Sequence, residues 1–111
     1  MTVKEIFEQC GTLRIHEERC VTDEFCELVF NNKDRGEWNK RCADILGDAI
    51  KPAGIQPTED LQYLTKDFGG IWSDQTLFKK EFDDVTVIVM FWPWQDGVHT
   101  TVKMALLKKG D

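Results

Sequence analysis

The sequence predicts an α+β fold in which a C-terminal three-stranded antiparallel meander packs against about three N-terminal helices. Residues 85–107 read as two strands around Asp96-Gly97, a dipeptide that strongly favours a hairpin turn. Three segments with helical hydrophobic periodicity precede this hairpin. A chain of 111 residues suits one modest core, so we expect residues 1–111 to form a single α+β domain.

A two-residue turn at Asp96-Gly97 fixes the register of the hairpin, because opposed residues share a face of the sheet. It sets Trp94 opposite His99, Phe91 opposite Val102 and Val89 opposite Met104. One face, here called the core face, carries no charge and holds Val85, Val87, Val89, Phe91, Val102, Met104 and Leu106. The other, the mixed face, holds Thr86, Ile88, Met90, Trp92, Trp94, His99, Thr101, Lys103, Ala105 and Leu107.

A third strand over 75–82 precedes the hairpin and joins it through Asp83-Asp84. A two-residue turn there sets Phe78 opposite Val89 on the core face. The same register points Lys80 inward, and an inward lysine is tolerated on an edge strand because its long side chain can reach solvent. A longer or bulged turn is the alternative. Pro93 has no N–H for the ladder, so we expect pairing to kink or end near it.

The helices are predicted from their caps and apolar stripes. Thr2 and Glu5 form a capping box, with Gly11 expected in the left-handed position after that helix. The 34–50 segment has its stripe at Trp38, Cys42, Ile45, Leu46 and Ala49, and we interpret Trp38 as core. Thr58 caps a third helix, which ends at Gly69-Gly70.

Residues 12–32 are the least regular part of the chain. The 25–30 segment fits either a strand or a helix capped by Thr22. We interpret it as a possible fourth strand, because the run is short, rich in aromatic residues and followed by Asn31-Asn32.

The charge of the chain argues against polyanionic partners. It has 14 basic and 20 acidic side chains and a net charge of −6, which disfavours nucleic acid and anionic membranes. No apolar run approaches the roughly 20 residues of a membrane span, and the N-terminal pattern is not that of a signal peptide. We therefore expect a cytoplasmic protein whose four cysteines are reduced.

The mixed face is the predicted working surface. It carries Ile88, Met90, Trp92 and Trp94 beside His99, Thr101 and Lys103. An apolar patch of this kind typically marks an interface or a ligand groove. We expect a binding or interaction domain that forms a homodimer or takes an apolar small-molecule ligand through this face. The alternative is that one helix crosses the face and buries it.

Two further hypotheses come from other classes of protein. The first is an enzyme that uses His99 with Asp96 or Thr101, since a base needs a neighbouring group to orient it. The second is a thiol or metal protein that uses His16, Cys20 and Cys26. No Cys-x-x-Cys pair is present, so the sequence predicts no metal site, and we also expect no cofactor.

Overall fold

The computed structural model describes residues 1–83 and 85–108, which form an α+β fold around one antiparallel sheet. The helices are α1 (Val3–Gln9), α2 (Arg35–Leu46) and α3 (Glu59–Thr65), with 3-10 turns at Asn32–Asp34 and Lys66–Phe68. The strands are β1 (Glu17–Val21), β2 (Phe25–Asn31), β3 (Thr76–Glu81), β4 (Val85–Pro93) and β5 (His99–Lys108). Their order in the sheet is β1-β2-β5-β4-β3.

The sheet is larger than predicted, because the described residues contribute five strands instead of three or four. The C-terminal meander β3-β4-β5 is confirmed, and β2 confirms the strand interpretation of 25–30. The additional strand is β1, whose Glu17–Cys20 residues are all exposed. The helices do not all precede the strands, since β1 and β2 lie between α1 and α2.

The register of the β4-β5 hairpin is confirmed, with Phe91 opposite Val102. The turn is longer than two residues. The Trp94 N–H donates to the His99 carbonyl (2.8 Å), and the Asp96 carboxylate accepts from the His99 N–H (3.1 Å). Gly97 supplies a φ of +71° that favours glycine. Compared with the predicted two-residue turn, the loop is longer by Gln95 on one side and Val98 on the other. The pairing of the strands beyond it is therefore unchanged.

Strand β3 pairs as predicted and lies at one edge of the sheet. Phe78 is opposite Val89, and Lys80 is exposed with its ammonium 3.5 Å from the carbonyl of Ile45. The turn residue Asp84 lies outside the described residues. Strand β4 ends at Pro93, as expected.

The core face is covered by α1 and α2. Trp38 is fully buried, as predicted, and stacks on Phe30 with ring centroids 5.5 Å apart. The main cluster joins Val3 and Ile6 of α1, its C-cap Cys10, and Trp38, Cys42 and Leu46 of α2 to the inward residues of β2, β3, β4 and β5. This arrangement leaves the opposite face to be covered by other segments.

The mixed face is covered in part by α3 and the 3-10 turn that follows it. A second cluster of fully buried residues consists of Ile71, Leu77, Ile88, Met90 and Ala105. Leu61, Leu64 and Phe68 pack against it and are themselves half-buried. The described residues therefore form three layers, with the sheet in the middle.

The N-terminal caps of α1 and α3 agree with the sequence, whereas the C-terminal ends of all three helices differ from the prediction: α3 ends at Thr65, and a separate 3-10 turn leads from it to Gly69. The capping box of Thr2 and the cap of Thr58 are confirmed. The first helix ends at Gln9, with Cys10 as the C-cap, and Gly11 does not adopt a positive φ. The second helix ends at Leu46 and not at residue 50, because Gly47 adopts a φ of +86° and turns the chain.

Candidate functional site

The predicted surface residues divide into a covered set and an open set. Ile88 and Met90 are fully buried beneath α3 in the second cluster. The described fold therefore has the alternative arrangement, in which a helix crosses the mixed face. A partner cannot reach these two side chains while α3 stays in place.

Trp92 and Lys103 lie at the boundary between the two sets. The Lys103 ammonium lies 3.7 Å from the centroid of the Trp92 ring and donates to the carbonyl of Phe68 (3.2 Å). The indole N–H of Trp92 is buried and has no hydrogen-bond partner among the described residues. The Lys103 contacts attach the 3-10 turn after α3 to the sheet, so both residues serve the packing of that turn and the helix before it.

Trp94 belongs to the open set, and several contacts fix its ring. Its indole N–H donates to the hydroxyl of Thr101 (2.7 Å), which lies buried beside it. The Arg19 guanidinium carbon lies 5.7 Å from the centroid of the Trp94 ring. That guanidinium donates to the carboxylates of Glu17 (2.5 Å) and Glu27 (3.0 Å). The indole is half-buried and held on two sides.

His99 continues this surface towards the turn. Its Nδ1 lies 2.6 Å from Oδ2 of Asp96. Its ring lies 4.9 Å from that of Trp94 and 4.4 Å from that of His16, centroid to centroid. Hydrogen bonds lower the pKa of Asp96 to about 2. The largest effect comes from the bond with His99, and the next largest from the bond with the Val98 N–H. We call His16, Arg19, Trp94 and His99 the ring cluster.

The ring cluster has part of the arrangement that a general base requires. Asp96 can orient the imidazole of His99, as an orienting carboxylate does in an acid–base pair. The Thr101 hydroxyl, however, accepts from Trp94 and is buried. His99 lines none of three open cavities found among the described residues, of about 450, 350 and 190 Å³. The geometry therefore favours surface recognition over catalysis.

The residues of the thiol hypothesis do not come together. Cys20 is exposed on β1, where it lies opposite Glu27 of β2, whereas Cys26 is buried in the main cluster. Burial raises the pKa of Cys26 to about 12, which keeps its thiol protonated. Within 1–83 and 85–108, no three His, Cys, Asp or Glu side chains form a group that could hold a metal ion.

Sequence reasoning missed two members of the ring cluster in this role. Arg19 lies on β1, a strand with no alternating apolar residues to reveal it. His16 precedes β1 and meets His99 only because β1 and β5 both pair with β2. Neither contact leaves a signal in local sequence spacing.

Comparisons with protein families, curated proteins and solved structures find no match to this chain. In the part of the chain that the structure describes, no helix has the length and apolar character needed to cross a bilayer. The function is therefore inferred from the geometry of the ring cluster.

Proposed function

We propose that this protein is a small binding domain, that the ring cluster is its partner surface, and that the partner is a second copy of the chain. The observation that supports the proposal is that the Trp94 ring is partly exposed and yet fixed in place. An indole half-open to solvent is held by a hydrogen bond to Thr101 and by the guanidinium of Arg19.

A ring fixed in this way suits an interface. Tryptophan and arginine are enriched among the residues that dominate binding energy. Association normally costs side-chain entropy, and much of that cost is absent when the side chain is already ordered. The contacts of Trp94 with Thr101 and Arg19 supply that order before any partner arrives.

The charges around the ring cluster fit a second copy. Two chains with a net charge of −6 repel each other, so their contact should lie where both signs are present. Arg19 is flanked by Glu17 and Glu27, and His99 by Asp96. A two-fold axis through such a surface can place a cation of each copy near an anion of the other.

The proposed interface lies at a different place from the homodimer interface that the sequence predicts. An interface centred on Ile88 and Met90 would require α3 to leave the sheet, because both side chains are buried beneath it. An apolar small-molecule ligand at the same place would meet the same obstacle. The ring cluster lies on the same mixed face but outside the cover of α3.

The test compares two tryptophan variants by light scattering and sedimentation. We expect wild type to dimerise at about 500 µM, a concentration that detects even a weak interface. Trp94→Glu should be a folded monomer, because losing a central aromatic anchor costs about 2 kcal/mol or more. The matched control is Trp72→Glu, since Trp72 is 57% exposed and lies outside the ring cluster. This control should dimerise like wild type.

Two results would contradict the proposal. A wild type that stays monomeric up to about 500 µM excludes a second copy as the partner. A Trp94→Glu protein that dimerises as strongly as wild type shows that the interface lies elsewhere. Circular dichroism of each variant separates loss of the interface from loss of the fold.

A second candidate function is an enzyme that uses His99 as a general base. The observation in its favour is the Asp96 carboxylate 2.6 Å from Nδ1. The probe is hydrolysis of p-nitrophenyl acetate, which reports an activated imidazole or nucleophile. An enzyme would be faster than free imidazole at equal concentration and would lose this rate in His99→Gln. A rate no faster than imidazole rules out this candidate for ester hydrolysis.

A further inference from the structure

A cleft of about 450 Å³ opens on the side of the molecule that carries α2. Its walls are the first half of α2 and the 48–53 loop, and Thr76 and Phe91 line it from the sheet. This volume falls in the range of small-molecule sites, which is about 300–1,000 Å³. The cleft is open beside Gly36, because a Cβ atom added to this residue would have no neighbour within 4 Å.

The loop wall of this cleft is held firmly. Lys51 is 1% exposed, and its ammonium donates to the carbonyls of Pro52 (3.0 Å), Ser73 (3.0 Å) and Gln75 (2.5 Å). The backbone of Lys51 also exchanges hydrogen bonds with Leu77 of β3. Because buried polar groups that are all satisfied hold a segment in one arrangement, this wall of the cleft is preformed.

Two opposite charges face this cleft without meeting. Arg35 and Asp48 both line it, and neither side chain makes a hydrogen bond or ion pair within the described residues. The same holds for the amide of Asn39 on the next turn of α2. A separated cation and anion leave room for a ligand that bridges them.

Most of the remaining lining is apolar. Ala49, Pro52 and Ala53 come from the loop side, and Phe91 is a core residue of β4 that remains 2% exposed. Ligand sites commonly combine an apolar surface with a few polar groups that fix orientation. The charge of the lining is balanced, which favours a ligand of no net charge.

We propose that this cleft binds a small zwitterion with an apolar body, of the chemistry of a free amino acid or a short peptide. Arg35 receives the carboxylate, because a guanidinium can donate two parallel hydrogen bonds to it. Asp48 receives the ammonium, and the apolar side chain of the ligand lies against the apolar loop side of the cleft. Asn39 and Thr76 supply uncharged hydrogen-bonding groups beside these two contacts.

The ligand test titrates ¹⁵N-labelled protein with four probes. L-leucine and glycyl-L-leucine both carry two charges, and they differ in the distance between them. 4-Methylpentanoate lacks the ammonium, and 3-methylbutylamine lacks the carboxylate. We expect at least one zwitterion to shift the amide resonances of Arg35, Gly36 and Thr76, and to bind at least about tenfold more tightly than both singly charged analogues. Tighter binding of L-leucine would identify a free amino acid as the ligand, and tighter binding of glycyl-L-leucine would identify a short peptide.

Four variants test the assigned contacts. Arg35→Gln and Asp48→Asn should each weaken zwitterion binding by at least about tenfold, since each removes a charge-assisted hydrogen bond. Lys40→Gln and Asp44→Asn are matched controls on α2 that do not line this cleft. They should keep the affinity within about twofold of wild type. All four sites are exposed, so the fold should be retained.

Three results would overturn the proposal. The first is the absence of any shift in the cleft with either zwitterion at about 10 mM, which excludes even millimolar affinity. The second is equal binding of a singly charged analogue. The third is an unchanged affinity in both Arg35→Gln and Asp48→Asn, which would place the ligand elsewhere.

Discussion

A Cβ atom added at Gly69 would lie 2.2 Å from Cη2 of Trp92, so the turn after α3 rests directly against the indole ring. Gly69 also adopts a φ of +101°, which side chains rarely tolerate. The pair explains why the mixed face is not an open aromatic patch. A glycine lets the backbone approach the ring closely enough for α3 to cover the residues beside it.

The first prediction tests that contact. Gly69→Ala should lower the free energy of unfolding by more than about 1 kcal/mol, because the alanine meets both an unfavourable φ and the Trp92 ring. The control is Gly54→Ala, where φ is +91° but no atom lies within 4 Å of the added Cβ. Urea unfolding should show a larger loss for Gly69→Ala. Equal losses would mean that only the φ penalty matters.

The second prediction concerns the buried ammonium of Lys51. Lys51→Met leaves the carbonyls of Pro52, Ser73 and Gln75 without this donor, so we expect a loss of about 1–3 kcal/mol for each group that stays unsatisfied. Lys79→Met on β3 is the control, since Lys79 makes no hydrogen bond or ion pair within the described residues. A Lys51→Met protein that unfolds at the same urea concentration as Lys79→Met would contradict this account.

The third prediction concerns acid stability. The folded state lowers the pKa of Asp96 from 3.8 to about 2, mainly through its hydrogen bond with His99. A lowered pKa gives stability that is present above the ordinary value and is lost as the pH falls from about 4 to about 2. Asp96→Asn should therefore reduce the fall in melting temperature across this interval, whereas Asp44→Asn should retain it. If the melting temperature of Asp96→Asn falls across this interval as much as that of wild type, the contact with His99 does not stabilise the turn.

The fourth prediction concerns thiol access. Cys20 is exposed on β1, whereas Cys10, Cys26 and Cys42 are buried. A thiol reagent such as DTNB should react quickly with one cysteine in native protein and with the other three only after denaturation. Cys20→Ser should abolish the fast phase. Two or more fast thiols in the native protein would mean that the packing around α1 or β2 is looser than described.

The hairpin shows how much local sequence can determine. Alternation along 85–107 and a turn dipeptide were enough to predict the pairing of Phe91 with Val102 and the two faces of the strands. The same reasoning predicted the β3 register, the burial of Trp38 and the caps at Thr2 and Thr58. These features depend on residues that are close in sequence or on periodicity, which a single chain displays directly.

Strand β1 and the ring cluster were decided by tertiary contacts. β1 has no apolar alternation, and it becomes a strand because β2 offers it a free edge. Arg19 and His16 reach Trp94 and His99 only through that pairing. Pairings of distant segments depend on the whole sheet, so no local pattern records them.

The sequence by itself determined which residues of the β4-β5 hairpin share a face, because side chains alternate along a strand whatever packs on them. Only the tertiary structure decided what covers each face. The mixed face is apolar enough to be either an interface or an interior, and the close approach of Gly69 to Trp92 made most of it interior. Trp94 and His99 stayed at the surface because α3 and the turn after it pack on the part of the sheet around Ile88, Met90 and Trp92.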